Sequence, residues 1–131
     1  MQTILETSLS GLTSHSRGKV RDMYEIEDKL LMVTTDRISA FDVVLESGIP
    51  DKGKVLNQLS AFWFNQTKDI VANQFITMDP SEYPMSTHVH ESVLRGRSML
   101  VKRTEPILIE CVARGYLSGS GWKDYCKTGS V

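Results

Sequence analysis

One stretch of the sequence constrains the architecture more than any other. From Gly18 to Ile26 the residues alternate, with Val20, Tyr24 and Ile26 on one side and Lys19, Arg21 and Glu25 on the other. That is the period of two that an extended strand requires. Glu27-Asp28-Lys29 is a short polar turn, and Leu30-Leu31-Met32-Val33-Thr34 returns as an apolar strand. Two such runs joined so closely predict an antiparallel hairpin. The period then changes. Between Lys54 and Lys68, Val55, Leu59, Phe62, Trp63 and Gln66 recur at helical spacing, and Leu56 and Phe64 widen the stripe. A long amphipathic helix packed on the sheet is expected there.

The other segments are shorter. Residues 1–16, rich in Ser and Thr, read as an arm on the domain edge. Val43-Val44-Leu45, Phe75-Ile76-Thr77, Ser98–Lys102 and Ile107–Val112 read as strands, and Arg103-Thr104-Glu105-Pro106 as a break. The glycines and prolines of 47–53 and 79–96 mark loops. Ser118-Gly119-Ser120-Gly121 is a turn that opens a helix over Trp122–Lys127, and Gly129 stops it. The fold class is α+β: a twisted antiparallel sheet with one long packed helix.

Composition excludes several functions. Lys and Arg total 15 against 16 Asp and Glu, a net charge of −1 over 131 residues. This lacks the positive excess that nucleic-acid binding uses. No apolar run approaches the ~20 residues of a membrane helix, and Met1–Ser10 has neither the basic nor the apolar region of a signal peptide. The two cysteines, Cys111 and Cys126, are too few for a disulfide scaffold. They are expected to be small buried hydrophobes in a reduced, cytoplasmic protein.

Chemistry-bearing residues fall into four groups. Gly18, Lys19 and Arg21 set two cations beside a glycine, which suits a polyphosphate; alternating charge on a hairpin's open face also describes a solvated surface. Thr35–Asp42 holds Asp36, Arg37, Ser39 and Asp42. Its aspartates could orient a cation, and a hydrogen-bonded turn explains the same residues. Lys52-Gly53-Lys54 precedes the long helix, where an anion would offset the lysines' conflict with the helix dipole. Glu110, Arg114 and Gly119-Ser120-Gly121 form the most coherent anion site, combining an Arg fork, a hydroxyl and helix N-terminal amides; a plain capped helix is the competing explanation. His88 and His90 lack a third ligand, so no metal site is expected.

The blocks GKVRDMYE, TTDRISAFDVV, GIPDKGKVLNQLSAFWF and ECVARGYLSGSGWKDY, running in order from Gly18 to Tyr125, strongly resemble the SAICAR synthase (phosphoribosylaminoimidazole-succinocarboxamide synthase) family. The longer TDRISAFDVV form is similar to its yeast-type branch. The resemblance implies an ATP- and Mg²⁺-dependent ligase of purine synthesis. Such an enzyme joins carboxyaminoimidazole ribonucleotide to L-aspartate through an acyl phosphate, releasing ADP and phosphate. It implies that Gly18, Lys19 and Arg21 cover the ATP phosphates, with Lys19 the main cation, and that Lys102 and 103–107 lie beside the adenine. Glu110, Arg114, Gly119 and Ser120 would hold the ribonucleotide, and Asp36, Ser39 and Asp42 would sit near the reacting carboxylate, leaving the role of Arg37 open. It further implies a small lobe over 1–100 and, over 101–131, the start of a larger ATP-grasp-like lobe. The family's second signature, D-x-K-x-E-F-G, does not occur in this sequence. The chain therefore resembles an N-terminal portion lacking the main magnesium ligands and inactive by itself. A non-catalytic nucleotide-binding module is the alternative, and oligomeric state is left open.

Overall fold

A computed structural model describes residues 3–109, 111, 113 and 115–130. Its centre is a five-stranded antiparallel sheet in the order β1-β2-β3-β7-β6. The strands are β1 (Thr13–Arg17), β2 (Arg21–Ile26), β3 (Lys29–Thr34), β6 (Phe75–Thr77) and β7 (Ser98–Lys102). The small strands β4 (Ser39–Ala40) and β5 (Val43–Val44) pair separately as a hairpin. The helices are α1 (Lys52–Gln66), α2 (Glu91–Leu94) and α3 (Gly119–Thr128).

Register explains how the sheet is buried on both faces. Tyr24 pairs with Leu31, which pairs with Leu100. This row, with Ile26 and Val33, packs under Leu9 of the N-terminal arm, Tyr83 and Leu94 of α2. One position along, Met23, Met32 and Met99 align across the same strands and face the other way. They join Leu30, Val101 and Phe75 against Phe64 of α1. The continuous apolar character of Leu30–Val33 follows from this two-sided burial.

The expected hairpin, the central helix and the strands at Phe75–Thr77 and Ser98–Lys102 are present. Gly129, at φ 70°, ends α3 by donating its N–H to Tyr125 O at 2.8 Å, as its lack of a Cβ permits. Four features differ from expectation. Part of the N-terminal arm is the edge strand β1, whose five residues are all exposed; no face is buried, so no alternation marked it. The 79–96 segment, expected as loop, holds 3-10 turns at Pro80–Glu82 and Met85–His90 as well as α2. Ile107, Leu108 and Ile109 are exposed and in no strand. Instead the Ile109 N–H closes a tight turn on Ile107 O at 2.8 Å. Cys111 and Cys126 are free and exposed rather than buried.

The largest difference concerns α1. Its buried residues are Gly53, Asn57 and Ala61, while Val55, Leu59, Phe62 and Trp63 are each at least half exposed. The helix therefore presents most of its apolar stripe outward, Phe64 excepted, and packs a line of small residues inward. Close approach decides the matter. A Cβ on Gly53 would lie 2.2 Å from Thr34 O, a distance that only glycine allows. Asn57 then reaches across to β7, donating from Nδ2 to Ser98 O at 3.0 Å.

Candidate functional site

The connection between β1 and β2 is a tight turn, in which Gly18 N–H donates to Arg21 O at 2.8 Å. Beneath it lies the 35–37 segment. Thr35 donates to Val20 O from its N–H at 3.0 Å and from its hydroxyl at 2.9 Å. Arg37 donates from Nε to Lys19 O at 3.0 Å and from Nη2 to Gly18 O at 2.9 Å. The guanidinium also reaches Leu5 O at 2.6 Å and Asp22 Oδ1 at 2.8 Å. Asp22 is almost fully buried. Burial pushes its carboxyl upward, but hydrogen bonds from Arg37 and from the side chain and amide of Thr7 outweigh this and hold it below the usual carboxylate range.

A second buried pair lies one residue away. Asp36 is fully buried and meets Arg97 Nη1 at 3.0 Å, the Gly53 N–H at 2.9 Å and the Ile4 N–H at 2.8 Å. Burial again pushes the carboxyl up, and the Ile4 amide, Arg97 and Gly53 together bring it below its ordinary value. The Asp51 side chain makes no capping bond, so Asp36 supplies the acceptor that the start of α1 needs. Asp36, expected beside a substrate carboxylate, instead sits in the interior with its oxygens taken by three donors. It fastens the N-terminal arm, the start of α1 and the segment before β7 to one another.

Asp42 is placed differently. Phe41 and Asp42 form the tip of the β4–β5 hairpin with φ of 50° and 66°, the pair of positive values of a type I′ turn. The Asp42 carboxylate is largely exposed and forms an ion pair with Lys19. The hydrogen bond from Lys19 holds it below its usual pKa. The Gly18–Arg21 turn and the β4–β5 hairpin are thus joined, and Ser39 itself is half-buried in β4.

Beside the turn, between α1 and the sheet, opens a cleft of about 520 Å³ lined by Val20 of the turn, by Arg21, Met32 and Met99 from the sheet and by Leu56, Leu59 and Trp63 from α1. Part of the outward apolar stripe of α1 is thus one wall of this cleft. Its size and its apolar lining with a few polar groups match a small-molecule site. A shallower hollow on the other side of the turn shares Val20, Arg21 and Met32 and adds Gly18 and Lys19.

The remaining sequence candidates are more scattered. Lys102 ends β7 and is exposed; strand alternation turns its side chain away from the Met99 face. Gly119 and Ser120 are exposed in the first turn of α3, which has no buried residue. Glu110 and Arg114 lie outside the described residues. His88 and His90 each use Nε2 on a backbone carbonyl, of Tyr83 at 3.0 Å and of Ser10 at 2.9 Å. Asp22 and Arg97 were not candidates from sequence. One signal existed for Asp22: it falls in phase with Val20, Tyr24 and Ile26, so its strand face demands a buried partner.

A family model described as SAICAR synthetase matches residues 14–130. The chain belongs to the SAICAR synthetase family. Among curated relatives, the phosphoribosylaminoimidazole-succinocarboxamide synthase of Thermodesulfovibrio yellowstonii is 58% identical over 128 residues, covering 98% of this chain and 44% of that protein. The synthase of the same name from Trichlorobacter lovleyi is 56% identical over 130 residues, covering 99% and 44%. Among solved structures, the SAICAR synthase from Saccharomyces cerevisiae complexed with SAICAR superposes with a TM-score of 0.86 at 42% identity, over 98% of this chain and 46% of that one. The chain thus spans less than half the length of the relatives it matches.

Proposed function

We propose that this chain forms the nucleotide-covering part of an ATP-dependent ligase that joins carboxyaminoimidazole ribonucleotide to L-aspartate. The observation that carries the proposal is the Gly18–Arg21 turn, drawn down by Arg37 and Thr35 beside an apolar cleft, in a member of this family. The base fits between Val20 of the turn, the Met32 and Met99 face of the sheet and Trp63 of α1. The phosphates lie at the turn, where Lys19 and Arg21 supply charge. The backbone around Lys102 and the segment to residue 107 reads the base edge. Ser39 and Asp42 approach the reacting carboxylate, with Asp42 setting the position of Lys19. Glu110, Arg114, Gly119 and Ser120 hold the ribonucleotide. Asp36 is given a structural role only. Residues 101–131 begin a second lobe.

The reaction divides into two balanced steps. A carboxylate oxygen of the ribonucleotide attacks the γ-phosphorus, the bond to the β-phosphate oxygen breaks, and ADP leaves. The aspartate amine then attacks the acyl carbon, loses a proton and expels inorganic phosphate. Neither step needs a protein nucleophile, so the chain contributes by positioning and by neutralising charge. Magnesium is implied by the family. Mg²⁺ is held by one or two carboxylates together with substrate phosphates. Among the described residues no group of three His, Cys, Asp or Glu could hold a metal, and Asp42 is engaged by Lys19. The main carboxylate ligands of the ion are expected in the part of the family that carries the D-x-K-x-E-F-G signature, and no step is drawn through the ion. Among the described residues, too, no helix is long and apolar enough to cross a membrane.

The test is an assay of the full-length protein, meaning this chain continued to the length of its relatives. Using ¹⁸O-labelled substrate carboxylate, label is expected in the released phosphate only when ATP and L-aspartate are both present. Product formed without transfer of label would contradict the acyl-phosphate route. The 131-residue chain by itself is expected to give no turnover.

A further inference from the structure

Three successive carbonyl oxygens of the phosphate-type turn, those of Gly18, Lys19 and Val20, point at one neighbouring segment. Arg37 takes the first two at 2.9 and 3.0 Å, and Thr35 takes the third at 2.9 and 3.0 Å. Among the described residues there is no cis peptide, and in a planar trans peptide the N–H points opposite to the C=O. Drawing these carbonyls inward therefore turns the N–H groups of the next residues, Lys19 and Val20 among them, outward. Consecutive outward amides are the geometry that receives an anion. The side chain that sets this orientation is itself fixed. Arg37 is buried, its Nη2 also meets Asp22 Oδ1 at 2.8 Å, its Nη1 meets Leu5 O at 2.6 Å, and its own carbonyl accepts from Lys52 Nζ at 3.0 Å.

We propose that Arg37, locked by Asp22, is a positioning residue that orients the Gly18–Arg21 turn toward the phosphates. It touches no substrate and acts through the backbone of residues whose amides and side chains do. This rests on the nucleotide site proposed above. The role demands arginine specifically. A lysine keeps the charge beside Asp22, but a single ammonium cannot serve Leu5, Gly18, Lys19 and Asp22 from the separate positions of a planar fork. Asp22 follows the same logic: placed on the buried face of β2, it accepts from the same Nη2 that holds Gly18 O, and so fixes the edge of the fork that faces the turn.

The experiment uses the full-length protein and three variants: Arg37→Lys, the milder Thr35→Val, which removes only the hydroxyl bond to Val20 O, and Lys19→Ala. Amide hydrogen exchange is measured at Gly18 and Thr35, whose N–H groups bond to Arg21 O and Val20 O, and along β3 and β7, and KM is measured for ATP and for the ribonucleotide. Loss of two backbone hydrogen bonds corresponds to about a tenfold effect. Arg37→Lys is therefore expected to speed exchange at Gly18 and Thr35 and raise the KM for ATP by about that factor, with β3, β7 and the ribonucleotide KM much less affected. Thr35→Val should move both in the same direction by less, and it remains informative if Arg37→Lys fails to fold. A general loss of stability would instead speed exchange in β3 and β7 equally. If Lys19→Ala raises the ATP KM while neither Arg37→Lys nor Thr35→Val alters exchange or KM, the positioning role is overturned. If the turn loosens in Arg37→Lys but no variant changes the ATP KM, the nucleotide site itself is wrongly placed.

Discussion

Replacing Asp36 with asparagine separates a structural carboxylate from a chemical one. In the structure this carboxylate accepts from Ile4 N–H at 2.8 Å, Gly53 N–H at 2.9 Å and Arg97 Nη1 at 3.0 Å, with no exposure to solvent. Asparagine exchanges one oxygen for a donor, so at least one of these three N–H groups would face another N–H. It also leaves the buried Arg97 guanidinium without its counter-charge. Breaking a buried pair from one side costs about 3–5 kcal/mol, a large share of the roughly 5–15 kcal/mol that holds a domain together. The melting temperature should fall by about 10–20 °C. The effect carries a pH signature. Because the native carboxyl sits below its ordinary value, its contribution is complete above the unfolded pKa of about 3.9 and disappears as pH falls through the native value. Urea unfolding followed by circular dichroism should show a constant gap between wild type and Asp36→Asn from pH 7 to about 5, narrowing below about 4. An asparagine variant within about 1 kcal/mol of wild type, yet without ligase activity in the full-length protein, would refute the structural assignment and return Asp36 to the chemistry.

Three further outcomes are expected. Gly53→Ala, whose Cβ would meet Thr34 O at 2.2 Å, should cost about 1–3 kcal/mol by thermal unfolding, whereas Gly115→Ala, with nothing within 4 Å, should stay within about 0.5 kcal/mol. Val55→Glu and Phe62→Glu, on the exposed stripe of α1, should leave the melting temperature nearly unchanged while reducing self-association of the isolated chain in light scattering. In the full-length protein, Arg114→Ala and Ser120→Ala should each raise the KM for the ribonucleotide by about ten- to a hundredfold, one charge-assisted hydrogen bond's worth, with the KM for ATP little changed.

Periodicity conveyed the hairpin because Tyr24 and Ile26 alternate against a buried face, and it placed α1 within two residues at each end. It misjudged which side of α1 is inward. Hydrophobicity ranks Phe62 and Trp63 above Gly53, Asn57 and Ala61, whereas the start and middle of the helix meet the sheet through the side small enough for its backbone to approach, and only Phe64 near its end packs inward. The strand β1 left no pattern because an edge strand with no buried side chain has no reason to alternate. At the site, glycine and cations at Gly18, Lys19 and Arg21 were legible as local chemistry. The pairs Asp22–Arg37 and Asp36–Arg97 were not, since each joins residues 15 and 61 positions apart and spacing carries no information about partners across a sheet. The adjacent Asp36 and Arg37 look like one polar turn in sequence, and the backbone sends them to different partners.

The most direct test of the central claim is a crystal structure of the full-length protein with magnesium and a non-hydrolysable ATP analogue. The phosphates are expected against the Gly18–Arg21 turn and Lys19, with the base between Val20, the Met32 and Met99 face and α1, and with Arg37 still bonded to the carbonyls of Gly18 and Lys19. A nucleotide bound with its phosphates at the start of α3, near Ser120, and the Gly18–Arg21 turn left untouched would contradict the account.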